Sequence, residues 1–226
     1  MRAFVVFLLV IAGAAVAADR VAEHVAAGEA ESRLAARGLA DPTVDVGGFP
    51  FLTQLAARDF SDVQVTGSAL DVSGGQAQDV SMTGHDVTAP SGGEVTVGRL
   101  DGVGLVTYDE VVARSGVPDI TIEPSDRPDR ALLRGSVDVL GERVDVVADS
   151  RVRARGDRVH VTPQSFELAD GGSVGGSLAA QLADRFTVTY RVRDLPDGIE
   201  LRDVRATDDG FLVRVTGRDV VFADLG

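Results

Sequence analysis

From Phe60 onward, apolar and polar residues alternate with a period of two. Val63 and Val65 alternate with Gln64 and Thr66, Val95 and Val97 with Thr96 and Gly98, and Val137 and Val139 with Ser136 and Asp138; Val144 and Val146 flank Asp145, and Val159 and Val161 flank His160. Such alternation marks strands with one face toward a core and the other toward water. Glycine-containing pairs punctuate the runs at Gly74-Gly75, Gly92-Gly93, Gly141-Glu142, Gly156-Asp157 and Asp209-Gly210, and they predict turns. Connections this short leave no room for helical crossovers, so the sheet is predicted to be mostly antiparallel. In the last third, Phe186, Val188, Tyr190 and Val192 are expected on one strand face, and Phe211, Val213 and Val215 repeat the arrangement.

Helical signals are fewer. Phe4 to Ala18 is uncharged and passes without a break into an Ala, Glu and Arg-rich stretch over residues 19–39, in which Val21, Val25, Leu34 and Leu39 are the sparse apolar positions. Asp41-Pro42 should end that helix. Gly47-Gly48 and Pro50 predict a bend followed by a helix start, after which Phe51, Leu52 and Leu55 share one face as an apolar plug. Thr107-Tyr108-Asp109-Glu110 fits a capping box opening a short helix that closes at Gly116. A second short helix is expected over Ser177–Asp184, with Leu178 and Leu182 one turn apart. No internal repeat is strict enough to define a unit. The plan is α+β.

At 226 residues the chain suits one domain with a real core. The expected division is 1–18 as a signal peptide or signal-anchor helix and 19–226 as a single domain. Ala15-Val16-Ala17 fits a small-x-small cleavage site, whereas the unbroken helical pattern favours a retained anchor, and both fates stay open. Either one predicts export to the extracytoplasmic side of a membrane, in a periplasm-like space. The sequence has no Cys, which excludes disulfides, thiol nucleophiles and thiolate metal sites. Its 22 basic residues are all Arg, so no lysine Schiff base or P-loop lysine is available. A net charge of −13 argues against nucleic acid as a partner and against simple electrostatic adsorption to an anionic membrane. Apolar burial or a local basic patch remains as the route to a lipid.

Reactive constellations are sparse. Gly171-Gly172-Ser173-Val174-Gly175 matches the G-x-S-x-G nucleophile elbow, but that arrangement needs a histidine downstream of the serine, and His24, His85 and His160 all precede it. A flexible glycine loop is the better reading. No His pair has metal-ligand spacing. Neither an enzyme nor a cofactor is predicted. Arg155-Gly156-Asp157 reads as a tight hairpin rather than an adhesion motif. Arg151, Arg153 and Arg155 lie on one strand face, with Arg158 just past the turn. They are either a solvated edge strand protected from pairing or a phosphate-contacting patch.

Three features in order carry a resemblance. The N-terminal apolar segment runs into an Ala/Glu/Arg helix; Gly47-Gly48-Phe49-Pro50-Phe51-Leu52-Thr53-Gln54-Leu55 leads into Phe60-Ser61-Asp62-Val63-Gln64-Val65; and Leu195-Pro196-Asp197-Gly198-Ile199 is followed by Asp209-Gly210-Phe211-Leu212-Val213 and Gly217-Arg218-Asp219-Val220. On these motifs the sequence resembles the LmeA family of actinobacterial cell-envelope proteins, described as phospholipid-binding. The resemblance implies a tubular lipid-binding (TULIP-like) fold, in which a strongly curved antiparallel sheet surrounds a long N-terminal helix with an apolar groove between them. It also implies noncatalytic binding of phospholipid acyl chains, transfer or sensing at a membrane surface, and support for mannosylated envelope lipid synthesis. The expected acyl-contacting residues are Phe49, Phe51, Leu52, Leu55, Phe60, Val188, Tyr190, Phe211 and Val213. Val and Ala dominate the apolar positions, with no Trp and two Met, and such small side chains would leave room for an acyl chain. The alternative is a membrane-anchored scaffolding module with a filled core and an exposed apolar patch.

Overall fold

The computed structural model describes residues 2–72, 75–90, 94–115, 119–139, 142–169, 171–172, 174–192 and 195–222. Strands β1 (Leu39–Ala40), β2 (Thr43–Gly47), β3 (Asp59–Val72), β4 (Gly75–Thr88) and β5 (Val95–Thr107) come first, followed by β6 (Thr121–Pro124), β7 (Arg130–Val139), β8 (Glu142–Arg155), β9 (Arg158–Leu168), β10 (Val188–Arg191), β11 (Ile199–Ala206) and β12 (Gly210–Phe222). The helices are α1 (Arg2–Ala35), with side chains described from Ala18 onward, α2 (Phe51–Ala57), α3 (Tyr108–Ser115) and α4 (Gly176–Phe186). Among the described residues no helix is long and apolar enough to cross a membrane.

The strands form two open sheets, and every described pairing is antiparallel, as the short connections require. Sheet A has the order β1-β3-β4-β5-β12-β11, with β2 also pairing to β3; sheet B has the order β10-β9-β8-β7-β6. Sheet B therefore sits between β5 and β11 in sequence and returns the chain to the far edge of sheet A. At the Arg155–Arg158 hairpin, Gly156 takes φ 62°, the left-handed first position of a primed two-residue turn. The Gly116 helix stop and the glycine pairs at 74, 92–93 and 141 lie outside the described residues.

Three apolar clusters hold these layers. The largest joins the inner face of sheet B (Ala131, Leu133, Val146, Ala148, Val152, Phe166) to α4 through Leu182 and Phe186 and to sheet A through Val204, Ala206 and Phe211. A second lies between Val87, Val97, Leu100 and Val220 on sheet A. The third gathers Ala27, Val44, Val46 and Phe51 where α1 crosses β2 and α2. Helix α1 thus packs on β1, β2 and α2 at one margin of sheet A.

Phe186 departs from the strand expectation. It ends α4, where the Thr187 N–H and hydroxyl both donate to the Ala183 carbonyl (2.9 and 2.7 Å), and its ring meets Phe166 edge-on at 5.7 Å. The helix runs two residues past the expected Asp184, which puts Phe186 on the core side of the last turn. The expected Leu178 contact lies outside the described side chains.

Sheet A carries a repeated device. Asp79, Asp86 and Asp219 have left-handed backbones (φ 48°, 55° and 49°), and each precedes a buried valine: Val80, Val87 and Val220. In a regular strand, residues three apart face opposite sides. The left-handed Asp, a conformation this residue tolerates better than most, turns the following valine back over the earlier glycine. In both Gly84-His85-Asp86-Val87 and Gly217-Arg218-Asp219-Val220 the valine covers the glycine: a Cβ on Gly84 would stand 3.1 Å from Val87 Cγ2, and one on Gly217 only 2.5 Å from Val220 Cγ2. The His85-Asp86 stretch lies within β4.

Candidate functional site

The Gly47–Phe60 block folds as an anchored helix with an apolar outer side. Pro50 is the residue before α2 and offers no side-chain cap. The cap comes instead from α1: Asp19, 2% exposed, accepts hydrogen bonds from the backbone N–H of Phe51 (2.9 Å) and Leu52 (2.7 Å). An anion at these free amides is favoured both by hydrogen bonding and by the partial positive charge of a helix start. Gln54 then ties the helix to its flanks, donating to the Gly47 carbonyl (3.1 Å) and accepting from the Ser61 N–H (3.0 Å). At the far end Arg58 closes the helix in a left-handed conformation, its N–H directed at the Gln54 and Leu55 carbonyls. Farther along α1, Glu31 accepts from the Val44 N–H of β2 (3.0 Å).

Beneath this frame, the three-residue plug reduces to one. Phe51 is 1% exposed and packs toward Phe60, ring centroids 6.2 Å apart. Leu52 and Leu55 are 42% and 37% exposed, and Phe49 is 59% exposed. A seven-residue helix on a sheet margin has only one side to bury, and Phe51 occupies it. The remaining three form an apolar edge facing water.

The other expected acyl contacts lie elsewhere. Phe211 is buried in the large core, edge-on to Tyr108 at 5.0 Å, and Val213 packs half-buried against the same core. Val188 and Tyr190 belong to β10, which pairs with β9, and their side chains lie outside the description. The structure brings Phe51 and Phe60 together, and Phe211 and Val213, but in two separate clusters. Burial pushes the Tyr108 hydroxyl pKa above its usual value, with the Asp208 and Asp209 carboxylates adding to the effect. Tyr108 donates to the Thr207 carbonyl (2.6 Å) and so fastens α3 to the β11–β12 turn. The capping box is present in its first half, Glu110 N–H to Thr107 Oγ1 (3.3 Å), while the Glu110 carboxylate accepts from the Gln76 N–H (3.1 Å).

The arginine patch also differs from expectation. β8 is an interior strand of sheet B, not an edge, for as long as β7 accompanies it; β7 leaves at Arg130, opposite Arg151. Arg151 is committed to Asp129 (3.3 Å), and Arg158 stands 3.6 Å from Asp157. Arg153 and Arg155 are exposed. Arg153 lines an open cleft of about 480 Å³ between β8 and β11, together with Arg202, Arg205 and Asp203 of β11 and the Pro128-Asp129 loop. Pattern reading missed Arg202 because it is the extra residue of a β-bulge between Leu201 and Asp203. A second cleft of about 380 Å³ opens between β9 and α4 and includes Phe166, Val174, Ala179 and Ala183.

The histidines are dispersed. His85 pairs with Asp62 across β3 and β4, and His160 contacts Thr189 Oγ1 (3.1 Å). Ser173 of the elbow-like glycine loop lies outside the described residues.

No curated protein and no solved structure matches the chain. The family model described as LmeA-like phospholipid-binding matches residues 14–218, and the chain belongs to that family.

Proposed function

We propose that this family member is a noncatalytic phospholipid-binding protein of an extracytoplasmic membrane face, and that Phe49, Leu52 and Leu55 are the edge that enters the lipid surface. One observation supports the edge: three large apolar side chains stand exposed, Leu52 and Leu55 on α2 and Phe49 just before it, at a helix whose first amides are held by Asp19, the residue at which the uncharged run Phe4–Ala18 ends. A lipid surface taking up that run would bring α2 to the interface. Trp-free chains use Phe and Leu for such contacts through apolar burial, worth roughly 1.5–3 kcal/mol for each side chain fully removed from water. This route does not depend on charge, which suits a protein of net charge −13. Acyl-chain uptake, transfer or sensing, and a part in making mannosylated envelope lipids, belong to the same proposal and rest on family resemblance.

The test is flotation with phospholipid vesicles. The triple variant Phe49→Ser, Leu52→Ser, Leu55→Ser should bind at least about tenfold more weakly with little change in melting temperature, because exposed positions contribute little to stability. Equal binding by the variant and the unaltered chain would reject the edge, and no vesicle binding by the unaltered chain would reject lipid binding itself.

A further inference from the structure

We infer that the slot between the two sheets is a binding site for the phosphate of an anionic phospholipid headgroup, with Arg153 and Arg202 as its ligands. The inference rests on the lipid-binding reading above and gives it a polar subsite distinct from the apolar edge. Past Arg151, β8 has no β7 neighbour, and its open side faces the open side of β11. The two strands join at one end only through the Gly156–Leu201 bridge, where Leu201 N–H donates to the Gly156 carbonyl (2.8 Å). The other end is closed by the Pro128-Asp129 loop, which accepts from Ala206 N–H (2.8 Å) and Val152 N–H (2.9 Å). Between these ties lies the cleft of about 480 Å³, within the size range of small-molecule sites.

The lining has an apolar floor and a cationic rim. Val152 and Val204 are 2% and 4% exposed and belong to the large core, and Ala154 lies beside them. The charged groups facing the slot are Asp129, Arg153, Arg202, Asp203 and Arg205. Arg205 is paired with Asp203 (2.6 Å) and Asp129 with Arg151 (3.3 Å). Arg153 and Arg202 have no ion-pair or hydrogen-bond partner among the described residues, so the charge left over is theirs. The bulge in β11 delivers Arg202 to the rim, a known way for strands to re-aim a side chain at a site. In a protein with so strong an acidic excess, two arginines without ion-pair partners on one cleft, whose two carboxylates are already paired with Arg151 and Arg205, match a phosphodiester, whose oxygens a guanidinium binds in bidentate fashion.

An added peptide strand fits less well. The gap spans about four residues of each strand, roughly 13 Å, and hydrogen bonds close it at both ends, so an extended chain cannot run through it. A compact headgroup can, with its glycerol side against Val152, Ala154 and Val204.

The experiment compares vesicles of pure phosphatidylcholine with vesicles in which a third of the lipid is phosphatidylglycerol, using the full chain and the variant Arg153→Gln, Arg202→Gln. The unaltered chain should prefer the anionic vesicles, and each arginine should account for about fivefold of that preference, the factor expected for a basic side chain near an anionic leaflet. The double variant should lose the preference while still binding phosphatidylcholine vesicles through the apolar edge and melting at the same temperature. Retained preference in the double variant would overturn the slot, as would an unaltered chain that shows no preference for anionic vesicles yet binds inorganic phosphate more weakly once both arginines are replaced, since the site would then take free phosphate and not a headgroup. Loss of binding to both vesicle types only in the Phe49, Leu52 and Leu55 variant separates the edge from the slot, and failure of the unaltered chain to bind either vesicle overturns both.

Discussion

Around sheet B and α4, thirteen buried apolar residues from six elements and a connecting loop form one core; at the α1–α2 end, four do so. The first region is held by side-chain packing that spans both sheets. The second is held by one buried ring, Phe51, with the half-buried Phe60 against it, and by two carboxylates of α1, Asp19 and Glu31, that accept backbone N–H groups from α2 and β2. The alanines of α1 that line this end (Ala22, Ala26, Ala27, Ala30) bring the helix close without filling much volume. The contrast teaches that a margin can be positioned accurately while contributing little to the global fold, which suits a surface that meets a membrane. Low apolar contact is also what allows a region to open by itself.

The strongest test of that contrast is Phe51→Ala. Removing a fully buried ring costs about 3–5 kcal/mol, and among the described residues of this cluster no second ring is buried to share the loss. Hydrogen exchange should show the α2 and β2 amides losing protection first, with β7, β8 and β9 changed far less. Equal loss across sheet B would mean that the two regions unfold as one. Phe166→Ala supplies the converse: a similar cost in the large core should lower protection throughout sheet B and the α4 contact.

Asp19→Ala should follow in size. It leaves the Phe51 and Leu52 amides without their acceptor beside a buried ring, at about 1–3 kcal/mol, and Asp19→Asn should recover part of this because an amide oxygen still accepts. The readout is exchange at those two amides. Unchanged protection there would show that α2 is held by Phe51 and Gln54 alone.

These positions also show what could be read in the chain and what could not. Strand alternation was legible because the period of two is local, and the β8–β9 hairpin because a Gly at its first turn position has a local reason. Asp19 as a cap was not, since its partners are more than thirty residues away and nothing near it marks a helix start. Leu52 and Leu55 have the spacing of a buried face; only the shortness of α2 and its place on a margin expose them. Phe186 continues the spacing of a strand across the junction where α4 ends. The Gly-x-Asp-Val pairs were in plain view, but their meaning needs the left-handed aspartate that folds valine back onto glycine. Arg202 is displaced from any period-two reading by the bulge that makes it useful. The antiparallel α+β plan and the family were therefore readable, while the slot arises only where two sheets meet.

The smallest expected effect concerns how the two sheets are fastened at the other end of β11. Tyr108 donates to Thr207 and packs on Phe211, and its hydroxyl pKa is raised, chiefly by burial. In the unfolded chain this group titrates near 10.0. Because the folded state holds the proton more tightly, the stabilisation it contributes is complete below that value and is lost as pH rises through the higher folded pKa. Melting temperature should therefore fall as pH rises past 10.0 more steeply in the unaltered chain than in Tyr108→Phe, which lacks the titrating group and should be modestly less stable at neutral pH through loss of one hydrogen bond, about 0.5–1.5 kcal/mol. Arginine stays charged throughout this range, and the only other tyrosine, Tyr190, is the control: Tyr190→Phe should leave the difference between the two curves in place. Parallel curves for Tyr108→Phe and the unaltered chain would mean that the α3 fastening does not depend on this proton, and that packing on Phe211 alone joins α3 to the large core.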